Sequence, residues 1–365
     1  MDRRRGRPTR PGGCRRPVRG RLPPLRGHRV EPARPPHQRR RDGGLPRPLA
    51  AAPAPDRPVA RGQRSGRQTT VRPPDDHPGP PPPLSDRHGR LDDVPPTRNT
   101  VHWSVDIRHA DNGDPIRQLD PDRPLRTASL AKVLLLIEVA RQAAEGSIDL
   151  TEQLTRTAED RVADSGLWQH LGVDSLSVGD LGELVGSVSD NLATNVLLRR
   201  IGLDAVARTA GALGLVHTAL HDRVRDQRTV TDPPTLSTGT AAEWTGIMAD
   251  LHRGAVVDPT TSAQVLQFLA HGTDLSQVAA PWGLDPLAHH EPDRGLTLHH
   301  KTGTDTDVRA ETGLLTGPAA TIAYTVIANF PAETDCRDEV LAGQQEYGRI
   351  IARAARGEDG GGASR

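Results

Sequence analysis

Apolar and polar residues alternate from the first ordered-looking stretch of the chain. Val101, Trp103, Val105 and Ile107 interleave with His102, Ser104, Asp106 and Arg108. A period of two predicts a half-buried strand. Asp111-Asn112-Gly113 supplies a turn, and Ile116 and Leu119 mark a second strand, so the segment predicts a hairpin. From Ser129 the pattern changes. Val133 to Ile137, then Val139 and Ala140, is apolar on every side and predicts a helix buried at the centre of the fold, ended by Gly146.

Residues 150–250 read as mainly helical. The segments are Val178 to Val188, a helix from Asn191 carrying Val196, Leu197 and Leu198, Asp204 to Leu213, and Ala241 to Leu251. Another helix is predicted at Ser262–Ala270. Strands return at Thr297–Lys301, Glu311–Leu315 and Thr321–Phe330, with Gly317-Pro318 between the last two. An amphipathic helix over Asp338–Ala355 and a glycine-rich tail close the chain. Strands therefore come from both ends of the ordered region, and helices lie between them. This predicts an α+β protein whose sheet is assembled from both pieces, with a helical lobe over about 129–250 and a cleft where the lobes meet.

Composition changes the picture at the N-terminus. Residues 1–90 hold 20 of the 33 prolines and 23 arginines against seven acids, a local charge of +16. The rest of the 365-residue chain carries −15, so a near-neutral total hides two oppositely charged pieces. The first piece has no hydrophobic periodicity and predicts a disordered arm over 1–95, a folded domain over 96–357 and a tail over 358–365. Three readings of the arm stand: a nucleic-acid-binding tail, an unstructured tether, or non-native text from a wrong start or shifted frame. It lacks interleaved aromatics and lysine, which weighs against the first. No apolar run has the length of a leader's core or of a membrane span, so the chain as written is expected in the cytoplasm, with secretion open if the true start differs. Cys14 and Cys336 are the only cysteines and build neither a structural disulfide nor a metal site.

The chemistry is signalled by lysine. The chain has two, Lys132 and Lys301, against forty-five arginines. A site that needs an amine able to give up its proton cannot take arginine. Ser129 and Lys132, three apart at a helix start, lie one above the other, so the amine is expected to reach the hydroxyl and act as its base. The helix N-terminus offers N–H groups to an oxyanion. Ser189-Asp190-Asn191 follows sixty residues later: Ser189 as a proton relay, Asn191 as an amide for substrate, Asp190 as structure. It is equally a good helix cap. Lys301-Thr302-Gly303-Thr304 sits on a predicted strand. Lys301 and Thr302 suit a carboxylate, Gly303 lets substrate backbone approach, and Thr304 gives a second oxyanion N–H opposite that of Ser129. Each triplet alone is modest; three in order, using both lysines, make coincidence improbable.

The region 100–356 resembles class A β-lactamases and their penicillin-recognising relatives. The resemblance rests on Ser129-Leu130-Ala131-Lys132, on Ser187 to Asn195 and on His300 to Thr304. Asp164-Ser165-Gly166-Leu167-Trp168 is more loosely similar to a substrate-gating loop of actinobacterial relatives, and Trp168 is expected to line the cleft or, equally, to be an aromatic of the core. The resemblance implies a β-lactamase/transpeptidase-like fold, an antiparallel sheet flanked by helices beside an all-helical lobe. It also implies a serine hydrolase acting on β-lactams through an acyl-enzyme.

Two features depart from the family. Its leading helix has no counterpart, since Asp92-Asp93-Val94-Pro95-Pro96 cannot form one. The loop that carries a water-activating glutamate matches Leu220 to Arg228, anchored by Arg223, and the glutamate's place falls on Arg225. Asp226, one position later and one carbon shorter, is the candidate base if the loop shifts; without a base, deacylation stalls. His289-His290 and His299-His300 are read as surface and packing residues, not as zinc ligands. The expected protein is a monomer acting on a small-molecule β-lactam, acyl or peptide ester, without cofactor, metal, nucleic acid or membrane. A related peptidase, esterase or penicillin-binding acyl-enzyme is the alternative, and a non-catalytic binding protein the reading from another class.

Overall fold

The computed structural model describes residues 101–287, 292–333 and 335–358. The arm over 1–95, Cys14, the segment from Asp92 to Pro96, the pair His289-His290 and nearly all of the tail lie outside the described residues.

Strand β1 (His102–His109) opens the fold and β2 (Pro115–Leu119) pairs with it antiparallel, as the alternation predicts. Strand β3 (Leu125–Arg126) leads into a 3₁₀ turn, Ala128–Ala131, and then helix α1 (Lys132–Ala144). Strands β4 (Gln153–Thr155) and β5 (Ser175–Ser177) make a small antiparallel ladder. Helices α2 (Val178–Val188), α3 (Asn191–Ile201) and α4 (Leu203–Ala212) follow. Next come β6 (Ala219–Leu220), β7 (Ser237–Gly239), α5 (Ala241–His252) and α6 (Pro259–Leu269). Strands β8 (Thr297–Asp305), β9 (Val308–Thr316) and β10 (Thr321–Asn329) return before α7 (Arg337–Arg356).

The main sheet runs β2-β1-β10-β9-β8 and is antiparallel throughout. The N-terminal hairpin thus completes a sheet whose centre, β10, is C-terminal, and the helices are inserted between. Two cores result. One joins α1 and the other inserted helices to the sheet's inner face through Ala310, Leu314, Ala323 and Ile327. The other lies under α7, where Tyr347, Ile351 and Ala355 meet Trp103, Val105 and Tyr324. Helix α1 buries Val133 to Ile137 completely, as expected of an all-round apolar helix.

Strand β1 differs from the half-buried expectation. Ser104 and Asp106 are as buried as Val105, because both sheet faces are covered. Their polar groups are answered internally. Ser104 accepts the Ala241 N–H at 3.0 Å and Asp106 accepts Gln118 at 3.0 Å together with Arg108. Among the described residues, no helix is long and apolar enough to cross a membrane.

Candidate active site

The cleft forms where the edge strand β8 faces the helical lobe. Ser129, Ser189, Lys301, Thr302 and Thr304 line one pocket, so the three motifs converge. Ser129 lies in the 3₁₀ turn and α1 begins only at Lys132. The turn is held in an unusual conformation. Ala128 has φ 47°, in the left-handed region that a residue with a Cβ rarely adopts. Ser237 on β7 supports it: its hydroxyl donates to Ala128 O at 2.6 Å and meets Thr127 Oγ1 at 2.8 Å. Such conformations persist only where surroundings enforce them.

Lys132 is fully buried. Its Nζ donates to Ser189 O at 2.7 Å, to Asn191 Oδ1 at 2.7 Å and to Ser189 Oγ at 3.2 Å. The sequence spacing predicts a hydrogen bond to Ser129 instead. Among the described residues none joins the two, because the amine is turned toward the α2–α3 junction. Burial, then the charge of Lys301, lowers the Lys132 amine well below its ordinary value, and Asp190 opposes this. A deprotonated amine keeps two N–H groups and gains a lone pair. Of its three partners only the Ser189 hydroxyl can reverse the bond and donate.

Ser189 caps α2 with φ 56° and so turns both its carbonyl and hydroxyl toward Lys132. Asp190 caps α3, accepting Ala193 N–H at 2.8 Å, and also accepts the N–H groups of Leu167 (2.8 Å) and Trp168 (2.9 Å). It is the clamp that ties the Asp164–Trp168 loop to α3. Gly166 packs against it so closely that a Cβ there would stand 2.4 Å from the carboxylate. Asn191 donates its amide to Ala163 O at 3.0 Å, so the group expected to face substrate holds the loop in this state. Trp168 is not on the cleft. It is fully buried, its indole N–H bonded to Val173 O at 2.9 Å, and belongs to the core.

Lys301 is buried as well, and its Nζ donates to Thr302 O at 2.8 Å. Burial pulls it down to about 8, against Asp274. Gly303 has a packing role that the sequence did not show. A Cβ there would stand 2.2 Å from Thr127 O, so the glycine lets β8 approach the turn that carries Ser129. His300, next to Lys301, faces inward. Its Nδ1 lies 3.2 Å from Glu311 Oε1 and its Nε2 3.3 Å from Gly272 O. Glu311 also accepts Tyr324 Oη at 2.7 Å and Val278 N–H at 2.8 Å. Among the described residues, no group of three or more His, Cys, Asp or Glu side chains could hold a metal ion.

The loop opposite is knitted from its own charges. Asp222 accepts Arg225 at 2.7 Å and Arg228 at 2.6 Å, and Arg225 also reaches Asp232. Arg223 donates to Glu159 O at 2.7 Å, an anchor as expected. Asn195 brackets Val224, accepting its N–H at 2.9 Å and donating to its carbonyl at 3.0 Å. Asp226 lies on the cleft wall with Ser129 and Asn191, its Oδ1 accepting Ala163 N–H at 2.7 Å.

A sequence profile of the beta-lactamase enzyme family matches residues 90–355. The chain belongs to this family. Solved structures agree on the fold. A beta-lactamase from Sphaerobacter thermophilus DSM 20745 superposes with a TM-score of 0.60 at 24% identity, over 70% of this chain and 92% of that one. PBP-A gives 0.60 at 18%, over 71% and 91%, and a beta lactamase from Burkholderia vietnamiensis 0.59 at 21%, over 69% and 91%. No curated protein matches the chain. Sequence reasoning missed Asp274, which lines the same pocket, and Ser237. Neither lies in a contiguous motif, and no sequence signal marks them.

Proposed function

We propose that this family member is a serine hydrolase that opens β-lactam rings through an acyl-enzyme on Ser129. The observation that carries the reading is the convergence of Ser129, Ser189 and Lys301 in one cleft, with Lys132 buried behind it, bonded to Ser189 and depressed. Ser129 Oγ attacks the lactam carbonyl and its proton passes to the Lys132 amine. The C–N bond breaks as the Lys132 ammonium passes that proton through the Ser189 hydroxyl to the leaving nitrogen, which leaves Lys132 neutral and Ser189 protonated. The Ser129 and Thr304 N–H groups receive the oxyanion, and Lys301 with Thr302 faces the leaving-group side. Water then cleaves the ester, releasing a substituted β-amino acid and restoring Ser129. The enzyme works as a monomer on a small molecule, without cofactor.

A second reading, an acylating enzyme with little turnover, is favoured by the loop. Asp222 and Asp232 are paired to arginines, and Asp226 is tied to Ala163 N–H. A fluorescent penicillin followed on the protein over time separates the two. A label on Ser129 that fades marks turnover, and one that persists marks the second reading. A label elsewhere, or undiminished in Ser129→Ala, excludes both.

A further inference from the structure

Asp274 stands in the turn after α6, in the pocket that Ser129, Ser189, Lys301 and Thr302 also line. The turn is fixed in place: Thr273 N–H donates to Ser187 O at 2.9 Å, and the His300 ring reaches Gly272 O. On the loop side the Asp274 carboxylate accepts the Ser276 hydroxyl at 2.6 Å and its N–H at 3.2 Å. On the strand side Lys301 and Thr302 line the same pocket. Burial opposes the charge of Asp274, but these hydrogen bonds and the neighbouring His300 hold it below the usual carboxylate value, so it is ionised at neutral pH. Its charge in turn supports the cationic forms of Lys301 and of Arg309 on the next strand.

The Lys301 charge and the Thr302 hydroxyl are the groups an incoming carboxylate would use at this end of the cleft. A carboxylate of the chain itself already lines the pocket beside both. We propose that Asp274 sets the charge selectivity of the cleft: it favours acyl donors that are uncharged or cationic beside the scissile bond and disfavours those carrying a carboxylate there. An anionic donor must lie against Asp274 or displace it from Ser276, and like charges brought together in a partly desolvated pocket repel. The proposal deepens the reading of Ser129 as nucleophile and rests on it.

The test compares penicillin G with its methyl ester on the full chain, reading acylation of Ser129 by intact mass. Wild type acylates faster with the ester, by about tenfold or more, the scale of a like-charge contact. Asp274→Asn, which keeps acceptor and shape, reverses the preference, and Asp274→Glu, which keeps the charge, retains it. A free acid preferred in wild type by the same ratio as in Asp274→Asn overturns the proposal. A calorimetric measurement with benzoate needs no chemistry at Ser129. Asp274→Asn should bind benzoate at least about tenfold tighter than wild type. If neither penicillin compound acylates Ser129 and benzoate still discriminates, the acylation reading falls and the charge selectivity stands. Equal benzoate binding overturns it.

Discussion

The two walls of the cleft are built on different principles. On the nucleophile wall, Thr127 to Lys132 and Ser189 to Asn191 are held from buried positions by groups distant in sequence: Ser237 under the turn, Gly303 against it, Asp190 across to the 163–168 loop. On the opposite wall, Asp222 to Arg228 satisfies most of its charge locally, through pairs three and six residues apart. The first arrangement fixes atoms against each other across the fold. The second stabilises a loop and ties its acids to arginines or to a backbone N–H. Under the proposed function, the contrast separates acylation from deacylation within one cleft and favours the first.

The largest effect should come from Lys132→Arg. It keeps positive charge but cannot act as a base, so acylation should fall by at least about 10²–10⁴-fold. Stopped-flow labelling checks it, and a loss below tenfold breaks the assignment of this wall. Next, penicillins that do react should give a burst of one equivalent followed by slow turnover, since water attack without a general base loses roughly 10²–10⁴-fold. Asp226→Asn should leave the burst intact and lengthen the acyl-enzyme lifetime less than about tenfold, because the amide oxygen still accepts Ala163 N–H. Fast steady-state hydrolysis without a burst, unchanged in that variant, would show that another residue activates water.

Gly303→Ala sharpens the comparison from the structural side. A methyl group 2.2 Å from Thr127 O must push β8 off the turn, at a cost of about 1–3 kcal/mol in a denaturant melt. A variant as stable as wild type would mean the nucleophile wall is softer than its contacts imply. The smallest effect concerns Lys301. Its positive charge is lost as pH rises through about 8, so acylation by anionic penicillins should decline over that range. Lys301→Arg should hold the rate there, since guanidinium stays protonated, and show a milder loss at pH 7 than Lys132→Arg. An identical decline in the variant would assign it to another group.

The fold was largely legible because its elements carry strong local patterns. The all-round apolar α1, the capped α2 and α3, and the late strands all appear near their expected bounds. The three motifs of the candidate site were legible because each is contiguous. What the chain did not disclose depends on contacts between distant residues. Ser237 supports Ala128 across 109 positions, and Asp274 shares a pocket with Thr302 only because α6 ends beside β8. Trp168 follows the same logic. An aromatic in a loop suits a cleft wall or a core equally well, and only Asp190, by drawing its backbone inward, decides between them. Ser104 and Asp106 read as solvent-facing because one strand cannot reveal that both faces of its sheet are covered.

The scarcity of lysine has a practical consequence. Apart from a chain terminus, the only amines are Lys132, fully buried, and Lys301, 2% exposed, and both line or underlie the cleft. A reagent that acylates or reductively methylates amines therefore meets almost nothing on the native surface. Modification of either lysine reports that the lobes have parted or the chain has unfolded. The protein carries its own two-channel probe of cleft opening, readable by mass spectrometry without any engineered label.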